Sequence, residues 1–266
     1  MEDVNEVKDI KHPAIKGVLQ WLNWEEGLEI HHDGDLPARS GLGSSSAFTV
    51  GLLRAMYQLM GRETTLQQLA KDAIQVEQEV IGEVVGCQDQ VAVACGGFNR
   101  IDFQGDEMFR VTPVQLAAGR REELQNHLLL FFTGFSRFAS EIELGKLVNF
   151  SQKKVELQRM MDMVTQAEDL LLDDSRDLQQ FGWMLQEAWE YKKSLSSNVS
   201  TSAIDAIYNR AIAAGALGGK ILGAGGGGFI LFFVPPARQS AVRNALQELI
   251  EVPFGFEQEG SRVVMG

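Results

Sequence analysis

Leu36-Pro37-Ala38-Arg39-Ser40-Gly41-Leu42-Gly43-Ser44-Ser45-Ser46-Ala47 is the stretch on which the interpretation of the whole sequence depends. It follows Gly27–His32, whose alternating apolar and polar residues predict a strand, and it runs into a helical pattern from Ser45 to about Met60. Glycines allow close backbone approach to an anion, and free amides at a helix start donate hydrogen bonds to it. The stretch therefore predicts a phosphate cradle, with a flexible Gly/Ser loop as the alternative.

Two common phosphate-binding motifs do not fit this stretch. The P-loop pattern G-x-x-x-x-G-K-[ST] fails because no lysine follows the second glycine, and Ser46 is followed by Ala47 and Phe48. The pattern G-x-G-x-x-G fails because its third glycine would fall at Ser46. If the stretch binds phosphate, it does so through a motif of another kind.

Composition limits the classes of function. The chain has 266 residues, 45% hydrophobic content and a net charge of -12, with a pI near 4.8. A core of full size is expected, and a nucleic-acid binder is disfavoured because it needs a basic surface. Two cysteines, Cys87 and Cys95, predict buried thiols in a reducing cytoplasm. No secretory signal or membrane-spanning run is apparent, so we expect a soluble cytoplasmic protein.

The hydrophobic pattern predicts an α+β protein of two lobes, with a boundary near 105–122. Thr65 and Gln68 form a capping box for a helix that runs to about Ile81, and 86–99 predicts a loop, a strand of small residues and a turn. The run 128–133 predicts a buried strand, and 139–214 predicts at least three helices. A glycine-rich segment at 220–228 precedes another strand, a helix and a short closing strand.

Two further segments carry polar residues suited to a site. Glu77 and Asp89 flank the loop after the Thr65 helix, although alone they are ordinary acids among 36. Thr133, Ser136 and Arg137 follow the buried strand and direct hydroxyls and a guanidinium toward a cleft.

Taken together, these motifs resemble the GHMP kinases. Pro37, Gly41-Leu42 and Ser44-Ser45 match P-x-x-x-G-L-x-S-S-A, with Ser46 where the family usually has alanine. The Lys220–Phe229 segment resembles the C-terminal glycine motif, and Glu77–Gln90 resembles the segment with the magnesium-binding glutamate and the catalytic aspartate. The resemblance implies a ribosomal-protein-S5-like N-terminal lobe over 1–115 and a ferredoxin-like α/β C-terminal lobe over 116–266.

The resemblance also implies roles for individual residues. Ser45 and Glu77 would hold Mg²⁺, and Asp89 would orient or deprotonate the acceptor hydroxyl. Thr133, Ser136 and Arg137 would contact a sugar phosphate. The residues expected to bind ATP are Pro37, Gly41, Leu42, Gly43, Ser44, Ser45, Ser46, Gly225 and Gly226.

Within this family the sequence is most similar to the D-glycero-D-manno-heptose 7-phosphate kinases, which act on the anomeric oxygen of the sugar. The family's Gly-Gly-Gly-Thr-Asp-like turn is not found in the chain, so we expect its first strands and part of the sugar pocket to be missing. Three interpretations stay open: an active sugar kinase or kinase of another small alcohol, a non-catalytic nucleotide- or sugar-binding relative, and a helical scaffold. A homodimer is left open.

Overall fold

The computed structural model describes residues 2–36, 41–105, 108–134 and 152–264. The chain forms two compact units, and its mixture of helices and strands confirms the α+β class. The first unit comprises Met1–Ala38, Gly43–Pro113 and Glu257–Gly266, and the second comprises Arg39–Leu42 and Val114–Phe256.

The first unit is mainly helical. Its elements are a 3-10 turn Val7–Asp9, α1 Pro13–Trp21, α2 Ser44–Leu59, α3 Leu66–Gln75, a π-helical turn Val76–Val80, α4 Gln88–Cys95, β1 Asn99–Gln104 and β2 Met108–Pro113. Local sequence signals explain two of the helix starts. The His12 side chain caps α1, which has proline at its first position, and the Thr65 hydroxyl accepts a hydrogen bond from the Gln68 amide at the start of α3. β1 and β2 form an antiparallel pair.

The core of the first unit is built on the apolar face of α2. Val50, Leu53 and Met56 recur at helical spacing and are at most 2% exposed. Tyr57 on the same helix donates a hydrogen bond to the buried carboxylate of Asp72 at 2.6 Å, and burial raises the pKa of Tyr57 to about 12. This buried polar pair ties α2 to α3.

Two predictions for the first unit are wrong. Residues 27–32 lie outside any strand, because the alternating pattern finds no neighbouring strand to pair with in the described chain. The segment expected to contain a strand of small residues forms α4 instead. Its packing against α2 and α3 stabilises a helix where the short alternating sequence favours a strand. Cys87 and Cys95 are half-buried rather than buried.

The final segment of the chain packs on the C-terminal end of α4. The Ser261 amide donates hydrogen bonds to the carbonyls of Val93 and Ala94. A side chain at Gly260 would lie 2.1 Å from the Ala94 carbonyl oxygen, so the two backbones touch directly. Residues 257–264 therefore support the helix that carries Asp89.

The second unit surrounds an antiparallel sheet. Its elements are α5 Ala118–Asn126, β3 Leu128–Phe132, α6 Lys154–Leu172, α7 Gln179–Leu195, α8 Ser202–Ala214, β4 Gly218–Ile221, β5 Phe229–Phe233, α9 Gln239–Ala245 and β6 Ile250–Glu251. The strand order is β4-β5-β3-β6. The predicted strand at 128–133 and the three long helices are confirmed.

Apolar side chains from α7, α8 and the central strands form the core of the second unit. Trp189, Ile204, Ile230 and Phe232 are fully buried in it. The central strands read as continuous apolar runs because they lie in the interior of this core. Among the helices that the structure describes, none combines the length and apolar character needed to cross a membrane.

Candidate active site

The N-terminus of α2 is the first part of the candidate site. Gly43 precedes it in the left-handed conformation, with φ 69° and ψ 21°, and provides no side-chain cap. The first intrahelical bond runs from the Ala47 amide to the Gly43 carbonyl at 2.8 Å. The amides of Ser44, Ser45 and Ser46 therefore have no intrahelical acceptor and present the positive end of the helix dipole. Such a helix end suits a phosphate group.

Asp89 lies beside Gly43. A Cβ atom on Gly43 would be 3.2 Å from both Cβ and Cγ of Asp89, so a side chain there would press against the aspartate. Asp89 is in the first turn of α4 and half-buried. The structure thus brings together the glycine predicted to bind ATP and the aspartate predicted to be catalytic.

Glu77 is buried in the π-helical turn, with an exposed fraction of 1%. Its Oε2 atom accepts hydrogen bonds from Ser46 Oγ at 3.0 Å and from Gln90 Nε2 at 2.5 Å. Burial raises the pKa of Glu77, and the polar side chains of Thr49, Gln90 and Ser46 near it partly offset that rise. Its Oε1 atom is buried and has no hydrogen-bond partner within the described ranges.

These features fit a divalent cation at Glu77. A buried carboxylate with one unpaired oxygen needs a positive partner, and Mg²⁺ in phosphoryl-transfer sites takes one or two carboxylates together with substrate phosphates. Across residues 2–36, 41–105, 108–134 and 152–264, no group of three or more His, Cys, Asp or Glu residues forms a complete protein cage. Glu77 can therefore supply a carboxylate to an ion that the nucleotide would also bind.

The serine that reaches Glu77 is Ser46. Ser45, for which a ligand role was predicted, has an exposed side chain, and its carbonyl accepts a hydrogen bond from Thr49 at 3.3 Å. The role of Ser45 stays a prediction. The predicted ATP contact of Ser46 also stays a prediction, and its buried hydroxyl donates a hydrogen bond to the Glu77 carboxylate.

The second unit contains a separate cluster of close backbone contacts around the C-terminal glycine motif. A Cβ atom on Gly223 would lie 2.7 Å from Cα of Gly41, and the Gly226 amide donates to the Val199 carbonyl at 2.9 Å. Lys192 on α7 is 9% exposed, and its ammonium group donates to the carbonyls of Ile221 and Gly223 at 3.0 and 2.6 Å. The motif is therefore fixed from α7 and from the loop before α8.

Thr133 also contacts this motif. Both its amide and its hydroxyl donate to the Gly228 carbonyl, at 2.8 and 2.9 Å, and the residue is 3% exposed. Its predicted contact with a sugar phosphate stays a prediction. Gly225 lies in the same motif against Val199, and Leu42 is half-buried. Pro37, Ser136 and Arg137 lie outside the described residues.

Sequence reasoning missed two residues with prominent contacts. Gln90 bonds to Glu77, but in sequence it is an ordinary amide after the predicted aspartate. Lys192 lies within a polar helical stretch, where a lysine normally extends into solvent. The proximity of Gln90 to Asp89 was a usable signal, whereas nothing in the sequence distinguished Lys192.

Comparison with known proteins shows which family the chain matches. The model of the GHMP kinases N terminal domain matches residues 8–97, and that of the GHMP kinases C terminal domain matches residues 167–251. A D-glycero-alpha-D-manno-heptose 7-phosphate kinase from Campylobacter jejuni is 34% identical over 239 residues, which are 88% of this chain and 69% of that protein. The chain belongs to the GHMP kinase family.

The chain is also similar to GHMP kinases that are named for other acceptors. The crystal structure of a D-glycero-D-manno-heptose 1-phosphate kinase from Bacteroides thetaiotaomicron superposes with a TM-score of 0.66 at 28% identity, covering 95% of this chain and 74% of that one. A mevalonate kinase from Thermococcus sibiricus is 26% identical over 267 residues, covering 97% of this chain and 75% of that protein. The GHMP fold and an ATP-dependent kinase activity follow from the family, whereas the acceptor does not.

Substitution of Gly223 tests the contact with Gly41. Gly223 has φ 64°, and Gly61 has the same φ but no atom within 4 Å of an added Cβ. We expect Gly223→Ala to weaken ATP binding about 10-fold or more, because the glycine motif must shift away from Gly41, while both variants carry a similar conformational cost of about 1–2 kcal/mol. Calorimetric titration with ATP checks this. Equal ATP affinity in Gly223→Ala and Gly61→Ala would contradict it.

Proposed function

We propose that this GHMP kinase transfers the γ-phosphoryl group of ATP to a hydroxyl of a phosphorylated sugar, with the anomeric hydroxyl of D-glycero-D-manno-heptose 7-phosphate as the first candidate. The observation that carries the proposal is the pairing of Gly43, at the uncapped N-terminus of α2, with the carboxylate of Asp89. The helix end suits the phosphates, and the carboxylate is suited to the acceptor hydroxyl.

Different residues carry out separate parts of the proposed reaction. The open amides of α2 bind and orient phosphate oxygens, while Asp89 orients the acceptor hydroxyl and takes its proton as the oxygen attacks phosphorus and the bond to ADP breaks. When bound, Mg²⁺ neutralises charge on the β- and γ-phosphates. Glu77, with Ser45 as the proposed second ligand, would hold that ion.

The choice of a sugar phosphate rests on similarity to the Campylobacter jejuni enzyme, whose identity is higher than that of the mevalonate kinase. The heptose kinase from Bacteroides thetaiotaomicron supports the same class of acceptor, although its name gives a 1-phosphate. The match to mevalonate kinase along 97% of this chain keeps another small alcohol as the second candidate.

A coupled assay of ADP release tests the proposal. D-glycero-D-manno-heptose 7-phosphate is compared with the unphosphorylated heptose, mannose and mevalonate, each with ATP and Mg²⁺. We expect kcat/KM to be highest for the heptose 7-phosphate, with a product phosphorylated at the anomeric carbon by NMR. Preference for mevalonate would favour the second candidate, and ATP binding without turnover of any acceptor would favour a non-catalytic relative.

A further inference from the structure

The hydrogen bonds at Glu77 are distributed unevenly between its two oxygens. Oε2 accepts from both Ser46 and Gln90, whereas Oε1 is buried and has no hydrogen-bond partner in the described part of the chain. A carboxylate held only to fill the core would be expected to share its donors between both oxygens. The arrangement instead fixes the orientation of the group and leaves one oxygen available.

A proton on Glu77 would satisfy this arrangement less fully than a cation would. Two donors already occupy Oε2, so a proton would reside on Oε1 and require an acceptor there. Among the described residues Oε1 has no such acceptor within hydrogen-bond distance. A cation bound at Oε1 would satisfy the oxygen and the buried negative charge together.

The backbone around Glu77 is also unusual. Val76–Val80 forms a π-helical turn after α3, with the Ile81 amide bonded to the Val76 carbonyl at 2.9 Å. Insertion of a π turn rotates the side chains within it relative to those of the preceding helix, and such turns are frequent at functional sites. The turn directs Glu77 into the interior, where α2 and α4 supply its two donors.

The donor from α2 lies at a position where this chain departs from the general family motif. Ser46 occupies the position where the P-x-x-x-G-L-x-S-S-A motif has alanine. An alanine at this position would remove the Ser46 donor, so that of the two donors only Gln90 would still bond to Oε2. The serine side chain is 5% exposed, so its hydroxyl is committed to Glu77 rather than available to solvent.

We propose that Ser46 and Gln90 are positioning residues that hold Oε2 of Glu77 so that Oε1 faces the bound cation. This inference rests on the proposed function, because it takes Glu77 as the protein's carboxylate ligand to nucleotide-bound Mg²⁺. Their side chains act through Glu77 and do not themselves hold the ion, while the backbone amide of Ser46 stays with the phosphate-binding end of α2. Groups that orient a metal ligand in this way are commonly worth 10–100-fold in metal affinity.

The test is the factor by which Mg²⁺ changes ADP affinity, measured by calorimetric titration of the full chain in EDTA and in saturating Mg²⁺. The variants are Ser46→Ala and Gln90→Met, which remove each donor with little change in volume. We expect the factor to fall about 10-fold in each, and because it is a ratio of two affinities it is independent of any change in ADP affinity in EDTA. Tyr57→Phe is the matched control, since it removes another buried hydrogen bond from α2 far along the helix from Ser46.

Three results would overturn the inference. A native Mg²⁺ factor in both Ser46→Ala and Gln90→Met would do so and leave the proposed function intact. An equal fall of the Mg²⁺ factor in Tyr57→Phe would mean that loosened packing of the first unit, and not the orientation of Glu77, causes the effect. Native protein that binds ADP with no response to Mg²⁺ would remove the cation role of Glu77, and with it both this inference and the Mg²⁺ part of the proposed function.

Discussion

Replacing Asp89 by alanine is expected to lower kcat by about 1,000-fold while MgADP affinity stays close to that of the native protein. Positioned general bases typically contribute 100- to 10,000-fold, and their loss affects a step that occurs only after both substrates have bound. The position of Asp89 beside Gly43 places its carboxylate next to the helix end proposed to bind phosphate. Steady-state kinetics combined with MgADP titration separates the two effects.

Asp89→Asn is the informative companion to the alanine variant. Asparagine keeps the size of the side chain next to Gly43 and can still orient a hydroxyl, but it cannot take a proton. If Asp89 acts as a base, the asparagine and alanine variants lose similar activity; if it mainly orients the acceptor, the asparagine variant retains much more. Native turnover in both variants would exclude any catalytic role.

The long periodic elements were predictable because their own sequences specify them. α2 begins at Ser44, one residue before the predicted start at Ser45. The strand predicted at 128–133 is β3, which ends at Phe132. Both elements carry many apolar residues at one period, so local preference and burial agree. Gly43 and Asp89 stay predicted site residues, and the sequence could single them out because their motifs occur in the family order.

Elements that depend on distant neighbours were not predictable. The alternation at Gly27–His32 looks like a strand, but a strand forms only where another strand supplies hydrogen bonds. In α4 the alternation of Val91 and Val93 locally favours a strand. Packing against α2 and α3 outweighs this local preference, and the segment is helical. The contacts of Glu77 join residues 13 and 31 positions apart, so no local pattern could reveal them.

Replacing Glu77 by glutamine is expected to lower turnover by about 100-fold or more and to abolish the stabilisation that Mg²⁺ adds in the presence of ADP. A charge-neutralising ion contributes several kcal/mol to a phosphoryl-transfer transition state, and each 1.4 kcal/mol is a factor of 10. A ligand that binds only the folded state raises Tm, so a variant that no longer holds Mg²⁺ should lose the increase in Tm that Mg²⁺ adds to that of ADP. Thermal unfolding with ADP, with and without Mg²⁺, checks this, and Glu79→Gln, an exposed acid on the same turn, is the control.

The same variant should change how stability depends on pH when Mg²⁺ is absent. Burial raises the pKa of Glu77 above its ordinary value of 4.5, so the folded protein keeps a proton that the unfolded chain has already lost. Because the unfolded state then binds fewer protons, the free energy of unfolding falls as pH rises from about 4.5 through the raised pKa. Glutamine has no proton to lose. Urea unfolding in EDTA should therefore show the native protein losing stability relative to Glu77→Gln across this range, and a pH-independent difference would indicate that the carboxylate is compensated without a cation.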